Sequence, residues 1–306
     1  MTVSERQKTT GRWFVFAATV LWASTATLAR FMFHARAVDP LVVVELRLTI
    51  ASVVLGLLLA LFRRSSLRIA PADLPRFLLL GLLGVAAVQG SYYYSISRLG
   101  VGLAILIQYL APALIVAFDL VRGRPVGWTM IVAVLSALLG TVLLVGGVRV
   151  GQVNATPLDW GISFYSAIAF AFYIMNSKHV LARYEPETVL LYTFVIAAIF
   201  WAFRNPPWMI AAAHYPAELW AMFVLLGLFS TLVPFGLFYL GLRRLPAAEA
   251  GVIATSEPLV AMCTAAIFLG EHLGAMQLVG AGLVLAAALL ASRNNPEATE
   301  AAVERG

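Results

Sequence analysis

Tyr93-Tyr94-Ser95-Ile96-Ser97-Arg98-Leu99-Gly100 is answered 146 residues later by Tyr239-Leu240-Gly241-Leu242-Arg243-Arg244-Leu245-Pro246. Tyr93 aligns with Tyr239, Arg98-Leu99 aligns with Arg244-Leu245, and each stretch ends on a chain-breaking residue. Working outward at an offset of 146–147, Trp13 meets Trp160, Ala35-Arg36 meets Ala182-Arg183, Gly81 meets Gly227, Pro112 meets Pro258, and Gly127 meets Gly274. A small-xxx-small pair, Ser136/Gly140, meets another, Gly282/Ala286. No single match carries weight. A nearly constant offset from end to end is the mark of a duplicated unit.

The solvent for this chain is lipid. Hydrophobic residues make up 61% of its 306 residues and charged ones 12%, against about 25% charged in an ordinary soluble domain. A soluble fold could not cover so much apolar side chain without large exposed patches. A membrane-spanning helix needs about 20 mostly apolar residues, and this ruler predicts ten: 13–33, 41–62, 76–97, 101–121 and 128–147, then 158–179, 188–204, 218–241, 248–268 and 273–292. Pro, Gly and charge mark the breaks, at Asp39-Pro40, Arg63-Arg64, Gly100, Arg122 to Pro125, Pro186, Pro206-Pro207 and Pro246. Basic Arg6, Lys8 and Arg12 before the first apolar run resemble a secretory signal. The run has a partner in the second half, so it is expected to stay as a membrane helix.

The positions of the basic residues set the orientation. With the N-terminus inside, fifteen Lys and Arg fall on cytoplasmic segments and five outside (Arg30, Arg36, Arg98, Arg149 and Arg204), with Arg47 left within a helix. Both termini are therefore expected in the cytoplasm. The formal charge of +6 is then topology, and no nucleic-acid partner is expected. The expected organisation is a cytoplasmic segment 1–12, a first five-helix repeat over 13–147, a second over 158–292, and a disordered cytoplasmic tail 293–306. Five is odd, so the second repeat crosses the membrane the other way round. Inverted repeats are an architecture of secondary transporters, whose two halves exchange conformations around a central site. The fold class is thus an all-α membrane protein of two inverted five-helix repeats, multi-pass in a bacterial cytoplasmic membrane.

Ionisable groups inside the hydrocarbon span cost about 2.5–3.5 kcal/mol on insertion scales and usually face the bundle interior. Glu257 is the deepest, nine residues into its helix and roughly 14 Å from its end at 1.5 Å per residue. It precedes Pro258, which removes a backbone bond and frees the carbonyl of Ala254. Such a carboxylate can bind a substrate ammonium or carry a proton, or it can lock helices together. Pro112, the mate of Pro258, frees the carbonyl of Gln108, and matched interruptions in two halves point to a transporter site. Arg47 either takes a substrate carboxylate through a bidentate contact or fixes its helix to a neighbour. Glu45, two residues earlier, points about 200° away and cannot pair with it. Aromatics beside polar neighbours complete the candidates. The expected substrate-binding set is Trp22, Arg47, Gln89, Tyr93, Gln108, Tyr109, Tyr165, Ser256 and Glu257, with Glu257 also the proton-coupling candidate. Trp128, Trp208 and Trp220, near helix ends, read as interfacial anchors.

Several classes lack their residues here. Cys263 is the sole cysteine, which removes an internal disulfide framework. His34, His179, His214 and His272 have no ligand partner four residues on, so no metal site is expected. No GxxxxGK[ST] loop supplies ATP chemistry. Ser24–Thr27 has no base beside it for hydrolysis, and no enzyme activity or cofactor is expected. A sugar-phosphate or nucleotide-sugar exchanger would need several cavity-lining cations, and Arg47 alone is clearly within the membrane. Direction is not written in the sequence, so a reversible uptake carrier remains an alternative. Oligomeric state is equally unwritten.

Leu21-Trp22-Ala23-Ser24, Arg47, Glu257-Pro258 and Leu269-Gly270-Glu271 together resemble the drug/metabolite transporter superfamily, in its EamA branch of ten-helix proteins, over residues 13–292. Within the branch, Tyr92-Tyr93-Tyr94 with Gln108-Tyr109-Leu110-Ala111-Pro112 resembles the YddG-type exporters of aromatic amino acids. The first repeat departs from the pattern, with Gly123-Arg124 where many relatives have glycine-glutamate, so no symmetric partner of Glu271 is implied. The resemblance implies a secondary exporter of small metabolites working by alternating access, with aromatic and other neutral amino acids as first substrates.

Overall fold

The chain's turn chemistry explains where its helices begin. Asp39 caps the second helix by accepting from the backbone N–H of Leu41 at 2.7 Å, and Pro40 takes the first helical position, where its missing N–H costs nothing. Thr156 and Asp159 form a reciprocal capping box ahead of Pro157. Gly100 and Gly123 hold positive φ angles of 84° and 68° at two helix ends, the left-handed conformation that a residue without Cβ adopts freely.

A computed structural model describes residues 3–145, 155–261, 263 and 274–293. Among these residues all regular structure is helical. In chain order the elements are α1 Val3–His34, α2 Pro40–Phe62, α3 Pro71–Leu99, α4 Val101–Val121, α5 Trp128–Leu144, α6 Pro157–Leu181 and α7 Pro186–Arg204. A short α8 Pro207–Ala212 leads to α9 Ala217–Leu242, α10 Ala247–Ala254, a further helical turn over 257–261, and α11 Ala275–Arg293. Eight of these helices are long and apolar enough to span a bilayer, and α5 is a shorter apolar one. The chain is an all-helical membrane protein. The motif Leu269-Gly270-Glu271, His272, Arg149 and nearly all of the expected tail lie outside the described residues.

Helix α1 starts ten residues before its apolar run. Hydropathy locates the membrane crossing, whereas helix length also depends on hydrogen bonding in water; there Thr9 and Thr10 bond back to the carbonyls of Glu5 and Arg6. The short α8 was likewise outside the expected set, a first-turn helix begun by Pro207.

The duplication is visible in the irregularities. α3 and α9 each contain one π-helical segment, Leu80–Ala86 and Leu226–Leu232, at an offset of 146. α4 opens into a turn at Tyr109-Leu110, and the ninth expected span opens at Thr255-Ser256, again 146 apart. Each opening lies just before a proline, Pro112 or Pro258, whose missing N–H and ring disrupt the preceding turn.

Packing between the halves is reciprocal. A Cβ on Gly81 would meet Ile196 at 2.7 Å and the carbonyl of Thr193 at 3.3 Å; one on Gly227 would meet Ile50 at 2.8 Å and the carbonyl of Arg47 at 3.4 Å. Every partner is shifted by 146, so α3 packs on α7 as α9 packs on α2. In the same way α1 lies along α9 and α6 along α3. α5 and α11 cross where a Cβ on Gly140 or on Gly280 would come within 2.8 Å of the other's carbonyl oxygen. Small residues allow this closeness where lipid removes the hydrophobic drive between helices. Gly140 therefore packs within the molecule, against Gly280, whereas Gly282 of the counterpart pair has open space around it.

Candidate substrate site

The two helix openings face a common cavity. Gln108 and Tyr109, at the opening of α4, and Glu257, at the second opening, line it together with Trp22 from α1, Arg47 from α2, and Gln89 and Tyr93 from α3. The fold brings these seven candidates into one space. Its volume is about 50 Å³, enough for a few waters and well under the 300–1,000 Å³ of a typical ligand pocket. The cavity is narrow in this structure.

Glu257 is 6% exposed and, among the described residues, has no basic partner within ion-pair distance. Tyr109 donates to its Oε2 at 2.6 Å, and Tyr92 sits 3.5 Å from Oε1. The shorter contact is in the range of a strong charge-assisted bond, the longer at the limit of a hydrogen bond. Arg47 is 2% exposed. Its Nε donates to the Thr231 hydroxyl at 2.6 Å and its Nη2 to the carbonyl of Ser230 at 2.7 Å. Its guanidinium carbon lies 4.4 Å from the centroid of the Tyr93 ring, a favourable placement of cation over π face. Both of those oxygens lie in the π-helical segment of α9, whose wider turn leaves carbonyls without their usual partners. Of the two readings of Arg47, its Nε and Nη2 serve the one in which it fixes its helix to a neighbour.

Two expected site residues stand elsewhere. Tyr165 is 43% exposed, about 140° around α6 from the cavity-lining Phe170 at 100° per residue. Ser256 is buried but donates to the carbonyl of Ile253 at 2.6 Å, satisfying the opened turn. The aromatic lining residues Tyr92, Phe170 and Phe235 were not in the expected set. Tyr93 shares a helix face with Gln89 four residues away, and Tyr92 points about 100° from it. Both reach the cavity because α3 runs alongside it. Ser230 also lines the cavity and has no sequence signal beyond its nearness to Gly227. Trp22, with ring centroids 5.1 and 5.5 Å from Phe235 and Phe238, forms an aromatic wall.

Glu45 is buried, and Thr49 donates to it at 3.2 Å, but it does not line the cavity. The Ser24 and Thr25 hydroxyls bond back to carbonyls of their own helix. Among the described residues no group of three or more His, Cys, Asp or Glu gathers at metal-binding range.

A larger cavity of about 770 Å³ opens at the bundle end that carries the α1 N-terminus; its rim includes Arg124, Lys178, His179 and Arg243. The second half of α4 is shared between the two cavities: Gln108 and Tyr109 face the inner one, Ile115, Val116 and Asp119 the outer. Between them Pro112 meets Gly251, where an added Cβ would lie 3.2 Å from Pro112 Cγ and 3.7 Å from Ile174 Cδ1. The smaller, central cavity is the one that gathers Arg47, Gln89, Gln108 and Glu257.

Two helical repeats closed around a small polar cavity, with matched helix openings at its wall, define a membrane carrier. The chain belongs to the EamA-like transporter family, whose pattern matches it twice, over residues 9–146 and 160–293. It is 29% identical over 274 residues to the threonine/homoserine exporter RhtA of Escherichia coli strain K12, covering 86% of this chain and 85% of the relative. It is 25% identical over 299 residues to YicL of Salmonella typhimurium, described as an uncharacterized inner membrane transporter, covering 94% and 97%. A crystal structure at 21% identity superposes with a TM-score of 0.73 over 92% of this chain and 96% of that one, a likeness of fold alone.

Proposed function

We propose that the chain is a secondary exporter of small neutral amino acids, working by alternating access in a bacterial inner membrane. The observation that carries this reading is the buried Glu257 carboxylate, held by Tyr109 and lining the same closed cavity as the buried guanidinium of Arg47. One anionic and one cationic pole in a buried site suit a zwitterion, since a charge buried without a partner is costly. The aromatic wall of Trp22, Phe170 and Phe235 suits an apolar side chain. Ten helices with both termini cytoplasmic, as the basic residues suggest, would place the larger cavity on the cytoplasmic side, as an exporter needs. The resemblance to YddG-type proteins favours aromatic amino acids, and the relative RhtA is named for threonine and homoserine, so both kinds belong in the first test.

The test is counterflow in liposomes holding the purified protein and unlabelled amino acid. Labelled tryptophan and labelled threonine are followed separately against protein-free vesicles. Accumulation of either supports an amino-acid carrier, and the stronger of the two names its preference. Failure of both, with a monodisperse protein, removes the amino-acid reading. The drive is either the substrate gradient or exchange with protons at Glu257. Glu257→Gln decides between them: transport whose pH dependence matches wild type removes Glu257 as the proton carrier.

A further inference from the structure

Two polar atoms of the cavity lining have no partner among the described residues, and both are donors. Arg47 Nη1 and Gln89 Nε2 are both buried, and among the described residues neither has a hydrogen-bond partner. Their residues are 2% and 3% exposed and line the same cavity. A buried donor left unpaired costs about 1–3 kcal/mol, more when charged, so two in one small space call for an acceptor that the chain itself does not supply.

The Arg47 fork explains why two residues are needed. Its Nε and Nη2 are spent on Thr231 and on the Ser230 carbonyl, which leaves Nη1 for a ligand. A carboxylate meets such a guanidinium through one oxygen, and its second oxygen needs a donor from elsewhere. Gln89 has that donor in its side-chain amide. Glu257, by contrast, is acceptor-only when ionised and suits the opposite end of the ligand.

We propose that Arg47 and Gln89 form a subsite for a free carboxylate, so that the protein takes carboxylic acids and rejects the matching carboxamides and decarboxylated amines. Thr231 is a positioning residue: its hydroxyl accepts from Arg47 Nε and donates to the carbonyl of Leu226 at 3.1 Å, five residues back in the π-helical segment. The subsite deepens the amino-acid reading and rests on it only for the ammonium end of the ligand. It also ties occupancy to α9, because a carboxylate on Nη1 pulls on the same guanidinium that grips the wide turn.

The test reads the rise in melting temperature of the purified protein on adding each compound, which needs no transport. The panel is tryptophan, tryptophanamide, tryptamine and indole-3-propionate, with threonine and threoninamide. The acids are expected to bind at least tenfold more tightly than their amides or amines. Gln89→Leu should weaken the acids about tenfold and narrow that preference. Gln89→Glu, which sets a carboxylate against the ligand's own, should reverse it. Thr231→Val should raise the KM of counterflow more than it lowers the maximal rate, and Thr231→Ser should restore both.

Equal binding of acid and amide by the wild type would overturn the subsite, as would full discrimination in a folded Gln89→Leu or Gln89→Glu. If either variant fails to fold, the wild-type panel alone decides. Binding of indole-3-propionate without any amino acid would keep the subsite and remove the amino-acid reading. Carriage of amino acids with equal binding of their amides would do the reverse. No shift with any carboxylate would remove the subsite.

Discussion

Tyr109 and Tyr92 approach the two oxygens of one carboxylate at different distances, 2.6 and 3.5 Å, and the difference is measurable. A hydrogen bond to a charged group is worth about 1.5–3 kcal/mol, and about 1.4 kcal/mol is a factor of ten. Tyr109→Phe is therefore expected to raise the half-saturating substrate concentration in counterflow about tenfold or more. Tyr92→Phe removes a contact at the edge of bonding range and should change it much less. Equal effects of the two would show that both bonds shorten once substrate is bound. The residue scale also explains what the sequence could not rank. Tyr92 and Tyr165 are both tyrosines beside polar neighbours, yet one meets Glu257 and the other faces outward, because the rotation of α3 and α6 about their axes is set by packing partners remote in sequence.

Helices α3 and α9 are interrupted in the same way and packed in the same way, each against the second helix of the opposite half. Gly81→Ala and Gly227→Ala should each drive a methyl into an isoleucine, Ile196 or Ile50. Overpacking of this kind costs about 1–3 kcal/mol, and the two variants should lose similar melting temperature because their contacts are reciprocal. Gly161→Ala is the counter-case. Gly161 lies in α6 with nothing within 4 Å of an added Cβ, so the change should stabilise by about 0.5–1 kcal/mol through reduced backbone entropy. Melting curves of the three in one detergent settle the matter; a stable Gly81→Ala would mean that α3 and α7 slide apart at no cost. Each π-helical segment is further held by a side chain from the opposite half. Arg47 takes Ser230 O, and Trp201 Nε1 donates to Ala86 O at 3.1 Å. The Trp201 ring also lies where a Cβ on Gly90 would be, within 2.0 Å of its Cζ2.

Across the whole molecule, the bundle end bearing the larger cavity is bound together by ion pairs between the halves. Arg63 pairs with Glu187 and Arg12 with Glu249, both at 2.7 Å, and Asp73 meets Arg183 and accepts from Tyr184. Within the second half, Arg243 joins Glu185 through two bonds, at 2.5 and 3.1 Å. These bonds hold the Glu185 carboxyl below the usual carboxylate range. Its folded value is lowered, so its contribution to stability is present at neutral pH and lost as pH falls through that lowered value. Both side chains are substantially exposed, which keeps the contribution small and sensitive to salt. The melting-temperature gap between wild type and Glu185→Gln is therefore expected to close on acidification below the ordinary carboxylate range, and to shrink with added salt at neutral pH. A gap that widens on acidification would contradict the sign.

The sequence by itself determined the solvent, the duplication and the places where helices start and break. Those are local properties: twenty apolar residues need lipid, Asp39-Pro40 and Thr156-Pro157 start helices through their own side chains, and Pro112 and Pro258 disrupt the turn before them wherever they sit. It also located the polar groups of the cavity, because Glu257, Arg47 and Gln89 are too costly within a membrane to face lipid. Only the tertiary structure decided which of their atoms remain free. Arg47 had two open roles in the sequence, helix anchor or ligand group, and the fold gives its Nε and Nη2 to the first and leaves Nη1 unbound. That division depends on where the π-helical segment of α9 puts Ser230 and Thr231, more than 180 residues further along the chain. Hydropathy and motif spacing carry no record of such a meeting, since rotation, register and the width of a helical turn are fixed only when the halves pack.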